Sequence, residues 1–143
     1  LHITDDSRFE WDDRLIWRPI AGTPPFNSAD YRGPERTATS SRYCILAIGD
    51  SNTFGWSDEH GDGPSWPGYL ADYVSDADVI NAGVVGYSTW QCYRRLTEAL
   101  ALRPNIVILS VGGNDSHLVS IPDRDFLVTF PAWQPRRRCR SSL

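Results

Sequence analysis

Three short apolar runs, separated by segments with helical spacing, are the feature that most restricts the fold of this chain. Residues 43–48, 78–82 and 105–111 read as strands, and the first of them is apolar throughout. Continuous apolar strands are typical of parallel sheets that are buried on both faces. An alternation of strands and helices requires right-handed crossover connections. The pattern therefore predicts an α/β domain with a parallel sheet over residues 43–130.

Two helical segments connect these strands. The first covers residues 66–74. The second begins after Ser88 and has Gln91 three residues later, which is the sequence pattern of a capping box. Pro104 forces this helix to end nearby. We expect large side chains at helical spacing to form its buried face: Trp90, Tyr93, Leu96, Thr97 and Leu100.

The segments on either side of this domain differ from it in composition. Residues 1–42 are acidic and interrupted by Pro and Gly, which excludes long helices and strands. The same segment carries several aromatic side chains, so we predict an irregular arm that packs on the domain. Residues 131–143 hold a cluster of Arg residues and form an atypical tail.

Composition and charge exclude several functional classes. A hydrophobic share of 41% excludes a disordered acidic chain, and a net charge of -4 argues against nucleic acid as a partner. No apolar run approaches the roughly 18 residues of a membrane span. The three Cys and three His residues lack the spacing of a metal site. We therefore expect small or neutral ligands, and neither a metal nor a cofactor.

Each strand-like run is followed by a loop of glycine and small polar residues. The sequence GDSNTFG occupies residues 49–55, NAGVVG occupies residues 81–86, and GGND occupies residues 112–115. In open α/β sheets, ligands bind outside the carboxyl ends of the strands. We therefore expect the three loops to meet at one edge of the sheet and to form the functional site.

The polar groups of these loops suit acyl transfer. A serine nucleophile needs a base and hydrogen-bond donors for the oxyanion that forms during attack. Ser51 is the candidate nucleophile, and the donors are the N–H groups of Ser51 and Gly86 and the side-chain amide of Asn114. Thr53 breaks the G-x-S-x-G pattern of α/β-hydrolases. Structural roles in turns are the alternative for Ser51 and Asn114.

The three motifs, in this order, resemble the first three conserved blocks of the SGNH, or GDSL, hydrolases. The resemblance covers residues 43–130 and implies a flavodoxin-like three-layer α/β/α sandwich. It also implies a serine esterase or lipase that needs no metal and acts on small-molecule or carbohydrate esters, including O-acetyl groups. Ser51 would be the nucleophile, and Gly86 and Asn114 would complete the oxyanion hole. Residues 17–19 and 27–33 are similar to a leader found in some bacterial members.

The sequence departs from this family at the catalytic base. The family carries its His and Asp in a late D-x-x-H block, which this chain lacks. One interpretation is truncation, which would leave a non-catalytic fragment without its His. The other is that His117 supplies the base, together with Asp115. An O-acyltransferase of the same fold is a further interpretation of the motifs.

Overall fold

A computed structural model describes residues 6–36, 43–57 and 61–116 of the chain. These residues form seven strands and three α-helices, and from β3 onward strands and helices follow one another along the chain. The elements are β1 (Phe9–Asp12), β2 (Ile16–Pro19), β3 (Tyr43–Gly49), α1 (Ser51–Phe54), β4 (Trp56–Ser57), β5 (Gly61–Asp62), α2 (Trp66–Tyr73), β6 (Ala77–Asn81), α3 (Thr89–Ala99) and β7 (Ile106–Ser110).

A parallel sheet with the order β6-β3-β7 forms the centre of the fold. In the register of the sheet, Ile45 of β3 lies opposite Val79 of β6 and Ile106 of β7. The predicted α/β fold with a parallel sheet is therefore confirmed. The chain leaves β3 for one neighbour and then crosses to the other, so right-handed connections place α2 and α3 on opposite faces of the sheet.

The segment before the sheet forms a short antiparallel hairpin of β1 and β2. The carboxylate of Asp12 closes its turn by accepting the N–H groups of Arg14 and Leu15. Side chains of this segment enter the same hydrophobic core as the sheet, among them Leu15 and Phe26. The arm therefore contributes to the core of the fold, although its elements are short.

The second helix begins as the sequence predicts, but it buries a different face. Ser88 and Gln91 form a complete capping box. Tyr93, however, is 62% exposed and Leu100 is 50% exposed, so the predicted buried stripe is wrong at these two positions, although Leu96 does pack against the core. The buried residues of α3 are Gln91, Cys92, Arg95 and Ala99.

Partners from the arm explain why polar side chains of α3 are buried. The Gln91 side chain donates to the carbonyl oxygen of Leu15 at 2.6 Å. Arg95 donates to the carboxylate and the main-chain carbonyl of Asp30. A buried polar group is costly only when it lacks a partner, so these contacts favour the burial of the Gln91 amide and of Nη2 of Arg95. The Nε of Arg95 has no partner within the described residues.

The last of the predicted strands, β7, is also the most exposed of them. Ile106 and Leu109 of β7 are 50% and 57% exposed, whereas Leu46 and Ile48 of the central β3 are fully buried. Within the described part of the chain, β7 pairs only with β3 and lies at an edge of the sheet.

Among the described helices, none is both long and apolar enough to cross a membrane.

Candidate active site

The candidate nucleophile lies at the start of a one-turn helix that follows the central strand. Ser51 is the first residue of α1, and Asp50 caps this helix by accepting the N–H of Asn52 at 2.9 Å. Gly55 ends the helix with a φ of 88°, a left-handed conformation that favours glycine. The N–H of Ser51 belongs to the first turn of the helix, where main-chain N–H groups have no acceptor within the helix. Strand and helix together therefore place Ser51 at the carboxyl edge of the sheet.

Glycines allow the three loops to pack directly on each other. A Cβ on Gly49 would lie 2.5 Å from the carbonyl oxygen of Ser110, at the end of β7. A Cβ on Gly83 would lie 2.7 Å from the carbonyl carbon of Thr53 in α1. The loop after β6 is also tied to the end of β3, because the N–H of Val84 donates to the carbonyl of Gly49 at 3.1 Å. The backbones of the loops are thus in contact at the sheet edge.

The loop that carries Asn114 is bound to the loop that carries Gly86. The side-chain amide of Asn114 donates to the carbonyl oxygen of Tyr87 at 2.9 Å. Gly86 itself has a φ of 79°, so a residue with a side chain would be strained there. The Asp115 carboxylate accepts the N–H of Thr89 at 2.9 Å and its hydroxyl at 2.8 Å. Asn114 is therefore held beside the glycine of the second loop.

The third loop also lies against the loop of the candidate nucleophile. A Cβ on Gly113 would be 2.9 Å from Oδ2 of Asp50, the residue before Ser51. Within the described ranges, the Ser51 hydroxyl has no hydrogen-bond partner. The structure thus gathers the three loops, while the catalytic roles of Ser51, Gly86 and Asn114 stay predictions.

Besides a nucleophile and oxyanion donors, acyl transfer by a serine requires a base. His117 lies outside the described residues, as do His2 and His60. Asp115, the suggested partner of His117, is engaged at the start of α3 through Thr89. Its carboxylate has a structural role there, as a helix cap of the kind that stabilises a helix N-terminus.

Buried groups behind the loops are kept neutral. Burial raises the pKa of Cys92 to about 12, and the charges of Asp50 and Asp115 act in the same direction. Burial also raises the pKa of Tyr87, whose hydroxyl donates to the carbonyl of Trp17 at 2.7 Å. Both groups keep their protons at neutral pH. Neither is a candidate for the nucleophile or the base.

Sequence reasoning missed two residues that hold the helix of Ser51. The Asn81 side chain donates to the carbonyl oxygen of Thr53 at 2.9 Å and accepts the N–H of Gly83 at 3.0 Å. Arg32 of the arm donates to the carbonyl oxygen of Phe54. For Asn81 the available signal was a polar residue at the end of an apolar strand. Arg32 lies in residues 27–33, whose similarity to a leader gave no indication of this contact.

A protein-family model matches the part of the chain that contains the three loops. The model of the GDSL-like lipase/acylhydrolase family matches residues 47–138, which is more than half of the chain. The chain belongs to this family. The match to the GDSL-like lipases and acylhydrolases contains all three loops, and it ends within residues 131–143, the segment predicted as an atypical tail.

A solved structure is also similar to this GDSL-like chain. It is that of AlinE4, described as an esterase of the SGNH-hydrolase family, with 32% sequence identity and a TM-score of 0.45. The similarity covers 55% of this chain and 44% of AlinE4, so the chain spans less than half of that protein's length. No curated protein sequence matches the chain significantly.

Proposed function

We propose that this protein is a serine hydrolase that cleaves carboxylic esters, with Ser51 as the nucleophile. The family match supports an acylhydrolase, and the position of Ser51 at the first residue of α1 supports its role. Its hydroxyl oxygen attacks the ester carbonyl, the hydroxyl proton passes to a base, and the alcohol leaves with a proton from that base. Water then hydrolyses the acyl-enzyme, which releases the acid and restores the serine.

The oxyanion of this reaction requires donors that are already in place. We assign this role to the N–H groups of Ser51 and Gly86 and to the side-chain amide of Asn114. The bond from Asn114 to Tyr87 supports the assignment, because it orients the amide next to the second loop. Each such donor typically contributes about 100- to 1000-fold in rate. O-acetyl groups on carbohydrate are included in the proposed substrates, and transfer of the acyl group to a sugar is a close variant.

Covalent labelling tests the nucleophile directly. The protein is treated with a fluorophosphonate, the modified residue is located by mass spectrometry, and hydrolysis of p-nitrophenyl acetate is measured in parallel. We expect labelling at Ser51, and loss of both labelling and hydrolysis in Ser51→Ala. Ser116→Ala is the matched control and should keep both. Labelling of another residue, or unchanged hydrolysis in Ser51→Ala, would contradict the proposal.

The base is tested with the same assay. His117→Ala should reduce hydrolysis as strongly as Ser51→Ala if His117 accepts the proton. If the wild-type chain shows neither labelling nor turnover, the interpretation as a non-catalytic fragment without the family's D-x-x-H block is favoured instead.

A further inference from the structure

Arg32 connects the N-terminal arm to the helix of the candidate nucleophile. Its Nη1 donates to the carbonyl oxygen of Phe54, the last residue of α1, and its Nη2 donates to the carbonyl oxygen of Gly63 at 2.7 Å. The guanidinium carbon also lies 4.4 Å from the centre of the Phe54 ring. One side chain thus joins the arm, the helix and the loop before α2.

The local backbone is adapted to this guanidinium. Gly55 follows Phe54 in a left-handed conformation, and a Cβ at this position would lie 2.6 Å from Nη1 of Arg32. The arm is fixed at the same point, because the N–H of Arg32 donates to the carbonyl of Asn81 at 2.9 Å. A side chain at residue 55 would displace the guanidinium from the helix end.

Arg32 interacts with main-chain carbonyls where other arm arginines interact with carboxylates. Arg8 pairs with Asp62 at 2.7 Å and Arg18 pairs with Asp30 at 2.9 Å. Within the described residues, no carboxylate forms an ion pair with Arg32. Burial lowers the pKa of Arg32, as expected for a cation that is partly removed from water. The charge of Asp62 acts on the pKa in the opposite direction. The guanidinium itself faces the carbonyl oxygens at the carboxyl end of α1, which have no acceptor role within the helix.

We propose that Arg32 is a positioning residue that fixes the catalytic serine by holding the carboxyl end of α1. The inference rests on the proposed role of Ser51. The helix is one turn long, so its two ends move together, and a displaced Phe54 carbonyl displaces Ser51. Asn81 also holds this end of the helix, because its side-chain amide donates to the neighbouring Thr53 carbonyl at 2.9 Å and, at 3.5 Å, to the Phe54 carbonyl itself. The arm therefore helps to position the helix that carries Ser51.

Amide hydrogen exchange tests this role without depending on activity. The N–H groups of Phe54 and Gly55 donate within α1, to Asp50 and Ser51, each at 2.9 Å. In Arg32→Met we expect their exchange to accelerate roughly tenfold or more, since hydrogen bonds to charged groups are among the stronger ones. The amide of Cys92 in α3 is the internal reference and should change little.

Matched variants separate positioning from general stability. Arg18→Met also removes an arginine of the arm, but Arg18 contacts Asp12, Asp30 and Glu98, and it should not selectively affect α1. Arg32→Lys keeps the charge and one donor group, so it should accelerate the exchange of the Phe54 and Gly55 amides less than Arg32→Met does. It also replaces Arg32→Met in the test if that variant fails to fold. Uniform acceleration across the protein, or no acceleration at Phe54 and Gly55, would overturn the proposal.

Kinetics give the functional readout. Arg32→Met should lower kcat for p-nitrophenyl acetate roughly tenfold with little change in KM, because a misplaced nucleophile affects the chemical step. If Ser51→Ala does not reduce hydrolysis, the proposed function fails, while the exchange rates still decide whether Arg32 holds α1. If Ser51→Ala reduces hydrolysis and Arg32→Met changes neither kcat nor exchange, only the role of Arg32 is rejected.

Discussion

The side-chain amide of Asn114 donates a hydrogen bond to the main-chain carbonyl of Tyr87 at 2.9 Å. This bond fixes the amide beside the loop of Gly86 before any substrate binds. An Asn amide has two N–H donors, so the second stays available for an oxyanion. A donor that is oriented in advance requires no reorganisation during the reaction, which is why such groups are effective in catalysis.

Asn114→Ala tests this donor. Removing one oxyanion donor should lower kcat for p-nitrophenyl acetate by about 100- to 1000-fold with little change in KM. The control is Ser116→Ala in the same loop, which removes a hydrogen bond to the carbonyl of Gly113 at 2.9 Å. The assignment is wrong if both variants have the same kcat.

Gly49→Ala tests whether the turn before Ser51 needs close backbone approach. The new Cβ would lie 2.5 Å from the carbonyl oxygen of Ser110, and a main-chain oxygen within the sheet cannot move aside easily. Overpacking of this kind costs about 1–3 kcal/mol of the free energy of unfolding. Urea denaturation measures the loss, and fluorophosphonate labelling of Ser51 should slow in parallel.

Gly63→Ala is the matched control for this substitution. Its Cβ would meet the carbonyl of Gly55 at 3.4 Å, which is an ordinary contact. The free energy of unfolding should therefore change by less than about 0.5 kcal/mol. Equal stability of the two variants would show that the backbone at Gly49 can relax.

Local patterns in the sequence predicted the elements that position the site. The strand β3 and the capping box of Ser88 and Gln91 depend on residues that are close in the chain. Both could therefore be predicted from the sequence alone. The meeting of the three loops at one edge was predicted from the rule that ligands bind outside the carboxyl ends of parallel strands. The parallel pairing of β3 with β6 and β7 agrees with that rule.

Contacts between distant segments could not be predicted in this way. The buried face of α3 was assigned wrongly because Gln91 finds its acceptor, Leu15, 76 residues earlier in the chain. Arg95 likewise depends on Asp30, 65 residues away. Without these partners the two side chains would be expected on the surface. The same limit applies to Arg32, whose contact with Phe54 depends on how the arm crosses the sheet edge.

Asp30→Asn tests the link between the arm and α3. Arg95 is 2% exposed and would keep its charge without a carboxylate partner. Breaking a buried ion pair in this way should lower the free energy of unfolding by about 3–5 kcal/mol. Asn is compatible with the φ of 58° at this position, so backbone strain does not add to the effect. Urea denaturation at pH 7 measures the change.

Asp78→Asn is the control for that experiment. Asp78 pairs with Arg36 at 3.5 Å on the surface, and both side chains are partly exposed. Exposed ion pairs contribute up to about 1 kcal/mol, so this variant should be close to the wild type in stability. Similar losses in the two variants would mean that the Arg95 pair is no stronger than a surface pair.

Cys92 makes stability depend on pH in the alkaline range. Burial raises the pKa of its thiol from 9.0 to about 12, so above pH 9 the unfolded chain releases a proton that the folded chain retains. Stability should therefore fall by about 1.4 kcal/mol for each pH unit within this window, and this group should have no effect below it. The measurement is urea denaturation at pH 8, 9 and 10. Cys92→Ala should show a shallower decline than the wild type because it lacks this titration, and parallel curves would exclude the thiol as the cause.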